Sequence, residues 1–166
     1  MKGKFNIKTL TQNGDVVHLI KNFLPLKECA RWVREVPCPK LDPRFTSWQD
    51  RVSTITEFPI VKYLSQFLES SFKIPVQIQE AQTQIWPEQS SSPLHNHFDQ
   101  GREATRYNSL VYLNNDYEGG EFYTKGGIRF QPEAGMLTFF DGQKVHHGVS
   151  PITKGHRFTL IFYWKE

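Results

Sequence analysis

The feature that most constrains the fold is a change in the spacing of apolar residues near residue 74. Before it, apolar side chains recur with helical spacing between Pro59 and Pro75: Ile60, Leu64, Phe67, Leu68 and Phe72. After it, the pattern alternates every second residue, starting at Val76 and Ile78. The chain is therefore predicted to pass from helices to strands at this point.

Six further segments in the second half are rich in Val, Ile, Thr, Phe and Tyr and are separated by glycine-containing turns. They cover residues 107–114, 120–124, 127–131, 136–141, 145–149 and 156–164. Many short strands with frequent turn signals favour a sandwich or barrel of the jelly-roll kind. We expect an α+β fold, mainly β, in which a jelly roll (double-stranded β-helix) has its N-terminal helices packed outside.

The predicted domain is single and covers residues 1–166, with helical support over about 1–73 and the jelly-roll core over about 74–166. The first predicted helix covers 22–36, where Leu26, Cys29, Ala30 and Val33 share one face. The second is the Pro59-initiated segment. Cys29 and Cys38 are too few for a disulfide framework, so we interpret them as reduced thiols, one of them in the core.

Charge and hydropathy exclude several classes of partner. Lys and Arg number 20 against 17 Asp and Glu, a net charge of +3. This near balance, with no basic stripe, argues against a nucleic-acid partner. No run approaches the roughly 18 apolar residues of a membrane span, and the first residues lack the layout of a secretory signal. We therefore expect a cytoplasmic protein with no membrane partner.

Four of the six histidines lie in two clusters, His95-Asn96-His97-Phe98-Asp99 and His146-His147. On a strand, residues two apart face the same side, so His97 and Asp99 could present an imidazole and a carboxylate to one ion. A histidine from a distant strand would complete a two-histidine, one-carboxylate set, which is typical of non-haem Fe(II) oxygenases. An isolated His-x-Asp is also a common coincidence, and His95 is predicted to be a surface residue or to support a ligand from behind.

The C-terminal segment adds a second kind of site. Arg157 comes ten positions after His147, and Thr159 follows on the same face of the predicted strand. A guanidinium with a hydroxyl beside it suits one end of a dicarboxylate, because the fork donates two charge-assisted hydrogen bonds and the hydroxyl a third. Such a site predicts an acid whose other end can chelate a metal.

Taken together, the motifs resemble a known family. They are His97-x-Asp99, Tyr112-Leu113-Asn114, Glu118-Gly119-Gly120-Glu121-Phe122, Pro132-x-x-Gly135, Phe139-Phe140, His147-x-Val149-x-Pro151-Ile152 and Gly155-x-Arg157. In order and spacing they resemble the catalytic domain of 2-oxoglutarate- and Fe(II)-dependent oxygenases of the prolyl 4-hydroxylase type. The resemblance covers about residues 80 to 166.

The resemblance implies His97, Asp99 and His147 as the catalytic iron ligands. It also implies Arg157 and Thr159 on the distal carboxylate of 2-oxoglutarate, with the phenol of Tyr112 at the same end. His147 is preferred to His146 because the family pattern is His-x-Val, so His146 should point outward. The implied cofactors are Fe(II), 2-oxoglutarate as cosubstrate and O2.

The implied reaction is hydroxylation of a prolyl residue in a peptide or protein, with release of succinate and CO2. A free amino acid or another small molecule is the alternative substrate. Two other readings are a metal-binding jelly-roll module without catalysis, and nucleic-acid demethylation by the same chemistry. Substrate specificity is expected to reside in the loops 40–56, 87–95 and 100–106, which carry no readable code.

Overall fold

The structure is a computed structural model that describes residues 4–35, 51–99 and 101–166, and its centre is a seven-stranded antiparallel sheet. The strand order in this main sheet is β1-β2-β10-β6-β13-β4-β3. Opposite it lies a four-stranded sheet in the order β5-β11-β8-β9, and β12 pairs with β7 in a third, two-stranded sheet. The predicted architecture, mainly β with helices packed outside a jelly-roll core, is confirmed over these described residues.

The bounds of the elements follow in chain order. The first half contains β1 (Ile7–Gln12), β2 (Asp15–Ile20), α1 (Leu26–Glu35), β3 (Val52–Thr54), α2 (Pro59–Phe72) and β4 (Gln77–Trp86). The second half contains β5 (Ser92–His95), β6 (Tyr107–Tyr112), β7 (Glu118–Gly119), β8 (Phe122–Thr124), β9 (Arg129–Phe130), β10 (Leu137–Asp141), β11 (His147–Val149), β12 (Ile152–Lys154) and β13 (Arg157–Lys165).

The two helices occupy the predicted regions, and only the second has the predicted bounds. Helix α2 starts at Pro59, whose fixed φ suits a first helical turn. It ends where Lys73 adopts a left-handed conformation and donates its N–H to the carbonyl of Glu69. Helix α1 starts at Leu26, four residues later than predicted, because Asn22 has a positive φ of 54° that no α-helix accommodates.

The N-terminal part is not only helical, which corrects the sequence interpretation. Strands β1 and β2 form a hairpin around Asn13 and Gly14, both with positive φ. Asn-Gly is a strong signal for a two-residue hairpin turn. Strand β2 then pairs with β10 of the main sheet, so this hairpin extends the sheet at one edge.

The main sheet buries both of its faces. Its outer face packs on the helices, where Leu64, Leu68, Phe139, Phe162 and Trp164 belong to one apolar cluster. Its inner face packs on the smaller sheet through a second cluster that includes Leu110, Tyr112, Phe122 and Phe140. Alternation of side chains along each strand separates the two clusters. Two polar residues of β4, Gln82 and Gln84, are buried on this inner side, where they pair with Ile161 and Thr159 of β13.

The remaining expectations concern the cysteines, the loops and membrane-spanning segments. Cys29 is a free, buried thiol, as predicted, whereas Cys38 and the greater part of the loop 40–56 lie outside the described residues. Within the described ranges, neither helix has the length and apolar character needed to cross a bilayer.

Candidate functional site

Three histidine side chains converge between the main sheet and the smaller sheet. His95 ends β5, His147 begins β11 and pairs with His95 across the sheet, and His97 follows β5 in a turn. The ring centroids are 4.4 Å apart for His95 and His147, and 5.1 Å apart for His97 and His147. One possible ligand atom from each histidine lies within 4.8 Å of the other two. Small side-chain movements would bring all three nitrogens to one ion, since metal–imidazole bonds are about 2.0–2.1 Å long.

The backbone fixes the orientation of two of these rings. Nδ1 of His147 lies 2.9 Å from the carbonyl oxygen of Val145, and Nδ1 of His95 lies 2.9 Å from that of Pro93. A carbonyl can only accept, so in each ring Nδ1 carries the proton and donates it. The Nε2 atom then keeps its lone pair for a metal, an arrangement common among metal-binding histidines.

Burial keeps the same rings neutral. It lowers the pKa of His97 to about 4, with the nearby His95 and Arg102 adding to the effect and the Asn108 side chain opposing it. Burial also lowers the pKa of His147 well below its ordinary value, and it lowers that of His95. Neutral imidazole is the form that binds metal, so the site is ready for an ion at neutral pH.

Aromatic rings pack around His147. Phe122 stacks on it with centroids 5.9 Å apart, and Phe140 meets it edge-on at 4.6 Å. These two phenylalanines line the inner face, whereas Phe139 packs on the helix side. The neighbourhood of His147 is therefore apolar, which strengthens any electrostatic interaction made there.

Asp99 is not brought into the histidine group. Strand β5 ends at His95, and residues 97–99 form a turn, so the strand geometry expected for His97-x-Asp99 does not apply. The Asp99 carboxylate is 67% exposed and lies 3.7 Å from Nε2 of His146. Asn96 supports this arrangement, because its Oδ1 accepts the Asp99 backbone N–H at 2.7 Å and its Nδ2 lies 3.2 Å from the His146 ring.

A second polar site is centred on Arg157, which is fully buried at the start of β13. Its guanidinium lies over the rings of Tyr112 and Trp86, at 5.0 and 5.5 Å from their centroids. None of its three side-chain nitrogens makes a well-formed hydrogen bond to any described residue, and neither does the buried hydroxyl of Thr159. Unpaired buried charge is costly, so these donors point to an anionic ligand.

Two tyrosines complete this site. Burial raises the pKa of Tyr112 and of Tyr117, with the charge of Arg157 opposing the shift in both. Both phenols therefore keep their protons and can donate hydrogen bonds. The Tyr117 hydroxyl is buried and makes no well-formed hydrogen bond within the described part of the chain. Guanidinium, hydroxyl and phenols form a donor set that fits a carboxylate.

The two sites face the same side of the main sheet. Arg157, Thr159 and Tyr163 lie on one face of β13, because they are separated by even numbers of residues. The centroid of the Tyr163 ring lies 5.5 Å from that of the His97 ring. Gly120 allows the backbone to approach closely, because a β-carbon there would lie 2.5 Å from Ile152 Cδ1 and 3.3 Å from Arg157 Cδ. An acid held by Arg157 thus lies on the face that also carries the histidines.

The structure brings together His97 with His147, and Arg157 with Thr159 and Tyr112, as the sequence suggested. It adds His95 and Tyr117, which the sequence analysis did not select. The sequence predicts His95 at the surface or behind a ligand, and the signal for its placement is that it lies two residues from His97. Tyr117 lies in an irregular segment after β6, where no periodicity assigns its direction. His146 is 37% exposed and points away from the group toward Asp99.

Comparison with known proteins identifies the family of the chain. Residues 82–165 match the model of the 2OG-Fe(II) oxygenase superfamily. Prolyl 3-hydroxylase 2 of Homo sapiens is 35% identical over a stretch that covers 35% of this chain and 9% of that protein. Prolyl 3-hydroxylase 1 of Gallus gallus is 34% identical over the same shares. The matched stretch is thus a small part of these longer relatives.

Solved structures show the same fold. Viral collagen prolyl hydroxylase vCPH from Paramecium Bursaria Chlorella virus-1 superposes with a TM-score of 0.73 at 17% identity, covering 99% of this chain and 97% of that one. A Pseudomonas putida prolyl-4-hydroxylase gives 0.66 at 19% identity, covering 90% and 92%. Since the family model spans more than half of the 166 residues, the chain belongs to the 2OG-Fe(II) oxygenase superfamily.

Proposed function

We propose that this protein hydroxylates a prolyl residue in a peptide or protein, using Fe(II), O2 and 2-oxoglutarate and releasing succinate and CO2. The observation that carries the proposal is the buried, unpaired guanidinium of Arg157 on the same sheet face as a group of neutral imidazoles. A dicarboxylate with a metal-chelating end is the ligand that would use both features. A metal-binding module without catalysis would need the histidines but not the buried cation.

In this proposal each residue has a defined task. His97, Asp99 and His147 hold the iron, which requires the Asp99 carboxylate to turn from His146 toward the histidines. Arg157 and Thr159 bind the far carboxylate of 2-oxoglutarate. The phenols of Tyr112 and Tyr117 each donate a hydrogen bond to the same carboxylate. Bound together, iron and 2-oxoglutarate supply the oxidising chemistry that the protein side chains lack.

The apolar surroundings give the remaining residues a protective task. Phe122 and Phe140 exclude water from the side of His147 that faces the core. On the opposite side the site reaches the surface, where Leu94 and Phe98 are exposed on either flank of the metal-binding segment. An apolar ring such as that of proline fits this flank, and the relatives named above are prolyl hydroxylases. A free amino acid would make fewer of these contacts.

The test is turnover by the full chain with Fe(II) and 2-oxoglutarate. Three sets of acceptors are compared: proline-containing peptides, the same peptides with alanine in place of proline, and free amino acids. We expect succinate release together with the mass gain of one oxygen atom in the proline peptides alone. Oxygen transfer confined to free amino acids would instead establish the alternative substrate class.

Two variants control for adventitious iron chemistry. His97→Ala should abolish coupled turnover because it removes a proposed ligand. His18→Gln should retain it, since His18 packs against Phe72 and Phe139 on the helix side of the sheet. Absence of succinate and of oxygen transfer with every acceptor, in a folded protein that binds iron, would contradict an oxygenase function for this chain.

A further inference from the structure

Asn108 is a fully buried carboxamide on the inner face of β6, two residues before Leu110 of the inner apolar cluster. On the neighbouring strands it pairs with Phe140 and Tyr163, whose rings pack on the two histidines of the proposed iron site. Neither its Oδ1 nor its Nδ2 makes a well-formed hydrogen bond within the described ranges. Burying a carboxamide without a partner costs free energy, so this position calls for a partner close by.

The ring of His97 lacks the backbone contact that orients the other two rings of the histidine group. Nδ1 of His147 lies 2.9 Å from the carbonyl oxygen of Val145, and Nδ1 of His95 lies 2.9 Å from that of Pro93. Nδ1 of His97 is buried and has no well-formed hydrogen bond to any residue that the structure describes. Among those residues, no backbone carbonyl therefore fixes which nitrogen of His97 carries the proton.

Gly142 brings these two unpaired groups to the same place. Its carbonyl oxygen accepts the backbone N–H of His97 at 2.9 Å. A β-carbon on Gly142 would overlap Oδ1 of Asn108 and would lie 3.0 Å from Nδ1 of His97, so both atoms border one small space that a side chain would fill. A carboxamide oxygen accepts and a protonated Nδ1 donates, so the two atoms can pair.

We propose that Asn108 is a positioning residue for His97. Its Oδ1 accepts the Nδ1 proton of His97 and so keeps the lone pair of the ring on Nε2, where iron would bind. Metal-binding histidines commonly donate their other N–H to such an acceptor. This inference rests on the proposed function insofar as it takes His97 to be an iron ligand. Asn108 lies outside every motif that carries the family resemblance.

The first experiment identifies the tautomer of His97 by nitrogen NMR of the isotope-labelled, metal-free protein at neutral pH. His97→Ala identifies the signals that belong to this ring. We expect the Nδ1–H form in the wild type and a shift toward the Nε2–H form in Asn108→Leu, which removes the acceptor. Asn108→Asp should keep the Nδ1–H form, because its carboxylate still accepts. An Nε2–H form in the wild type would overturn the proposal, and this measurement needs no variant at position 108.

The second experiment measures the affinity of the full chain for Co(II), used as a probe without 2-oxoglutarate. Asn108→Leu should weaken Co(II) binding by about tenfold or more, as removal of a residue that orients a ligand does. Asn108→Asp should restore most of the wild-type affinity. Asn108→Ala also removes the acceptor, and it serves if melting profiles of the metal-free proteins show that Asn108→Leu does not fold.

The matched control is Ser109→Ala, at the next residue of the same strand. Ser109 is equally buried, and its hydroxyl accepts the indole N–H of Trp164 at 2.8 Å on the helix side of the sheet. Its replacement removes a buried hydrogen bond away from the site and should leave Co(II) affinity unchanged. Equal Co(II) affinity in Ser109→Ala and in the folded variants that lack the acceptor would overturn the role of Asn108.

Failure of the proposed function has a different signature. His97→Ala would then keep the wild-type Co(II) affinity, and both proposals would fall. If His97→Ala loses the metal and Asn108→Leu does not, the iron site stands and only the role of Asn108 is wrong.

Discussion

Arg157 carries the prediction that belongs to the scale of single residues. Arg157→Ala should weaken 2-oxoglutarate binding by about 2–5 kcal/mol, the cost of removing one partner of a buried charge pair. This corresponds to about 30-fold to several thousand-fold in affinity. Arg157→Lys should recover only part of the lost affinity, because an ammonium lacks the planar fork of a guanidinium. Calorimetric titration of the metal-loaded protein measures both effects.

The matched control is Arg129→Ala, which removes an exposed arginine that pairs with Glu121 on the smaller sheet. It should leave the 2-oxoglutarate dissociation constant unchanged. An unchanged constant in Arg157→Ala as well would place the cosubstrate's carboxylate away from this cation.

For single residues, the sequence predicts where a side chain lies when its spacing along a strand and its chemistry point to the same site. Arg157 and Thr159 share a strand face, so their proximity follows from alternation alone. His95 and Asp99 exchange their expected positions because the strand stops at His95, and nothing local in the sequence marks that end. The placement of Asp99 depends on the Asn96 side chain and on His146, which is 50 residues from Asn96 along the chain.

Among the elements, the β1–β2 hairpin offers the sharpest test. Gly14 has a φ of 85° with open space around it, so a side chain there meets backbone strain but no steric clash. Gly14→Ala should lower the free energy of unfolding by about 1–2 kcal/mol, the cost of a left-handed conformation for an L-residue. Chemical denaturation measures the change.

Lys8→Ala is the control for this hairpin, because Lys8 is exposed on β1 and its replacement should change stability by no more than about 0.5 kcal/mol. Equal stability of Gly14→Ala and Lys8→Ala would show that the turn does not require its positive φ.

The elements also show which signals a sequence carries. Helix α2 was predictable because Pro59 marks its start and one apolar face runs its length. The β1–β2 hairpin escaped prediction although Asn13-Gly14 marks its turn, because β1 is an edge strand without clean alternation of buried and exposed residues. The pairing of β2 with β10 joins segments more than 100 residues apart, so no local pattern reports it.

For the whole molecule, the main sheet separates a helix-packed face from the face that carries the site. His18 of β2 lies on the helix side, 4.7 Å from Phe72 between ring centroids, and burial lowers its pKa. The unfolded chain protonates His18 near its ordinary value of 6.5, whereas the folded chain resists the proton. The free energy of unfolding should therefore decrease as pH falls below that value.

His18→Gln cannot take up this proton, so it should lose less stability than the wild type when the pH falls from about 7.5 to about 5.5. Urea denaturation of the metal-free protein at both pH values gives the comparison. An equal loss of unfolding free energy in the wild type and in His18→Gln would mean that His18 is protonated equally in the folded and unfolded chains.

The unpaired charge of Arg157 has a consequence for the lifetime of the protein. A core that contains a cation without a counter-ion is incomplete until a small acid enters it. A ligand that binds only the folded chain stabilises it, by about 2.7 kcal/mol at a hundredfold excess over its dissociation constant. Resistance of the protein to proteases should therefore increase with the concentration of a dicarboxylate that binds this site.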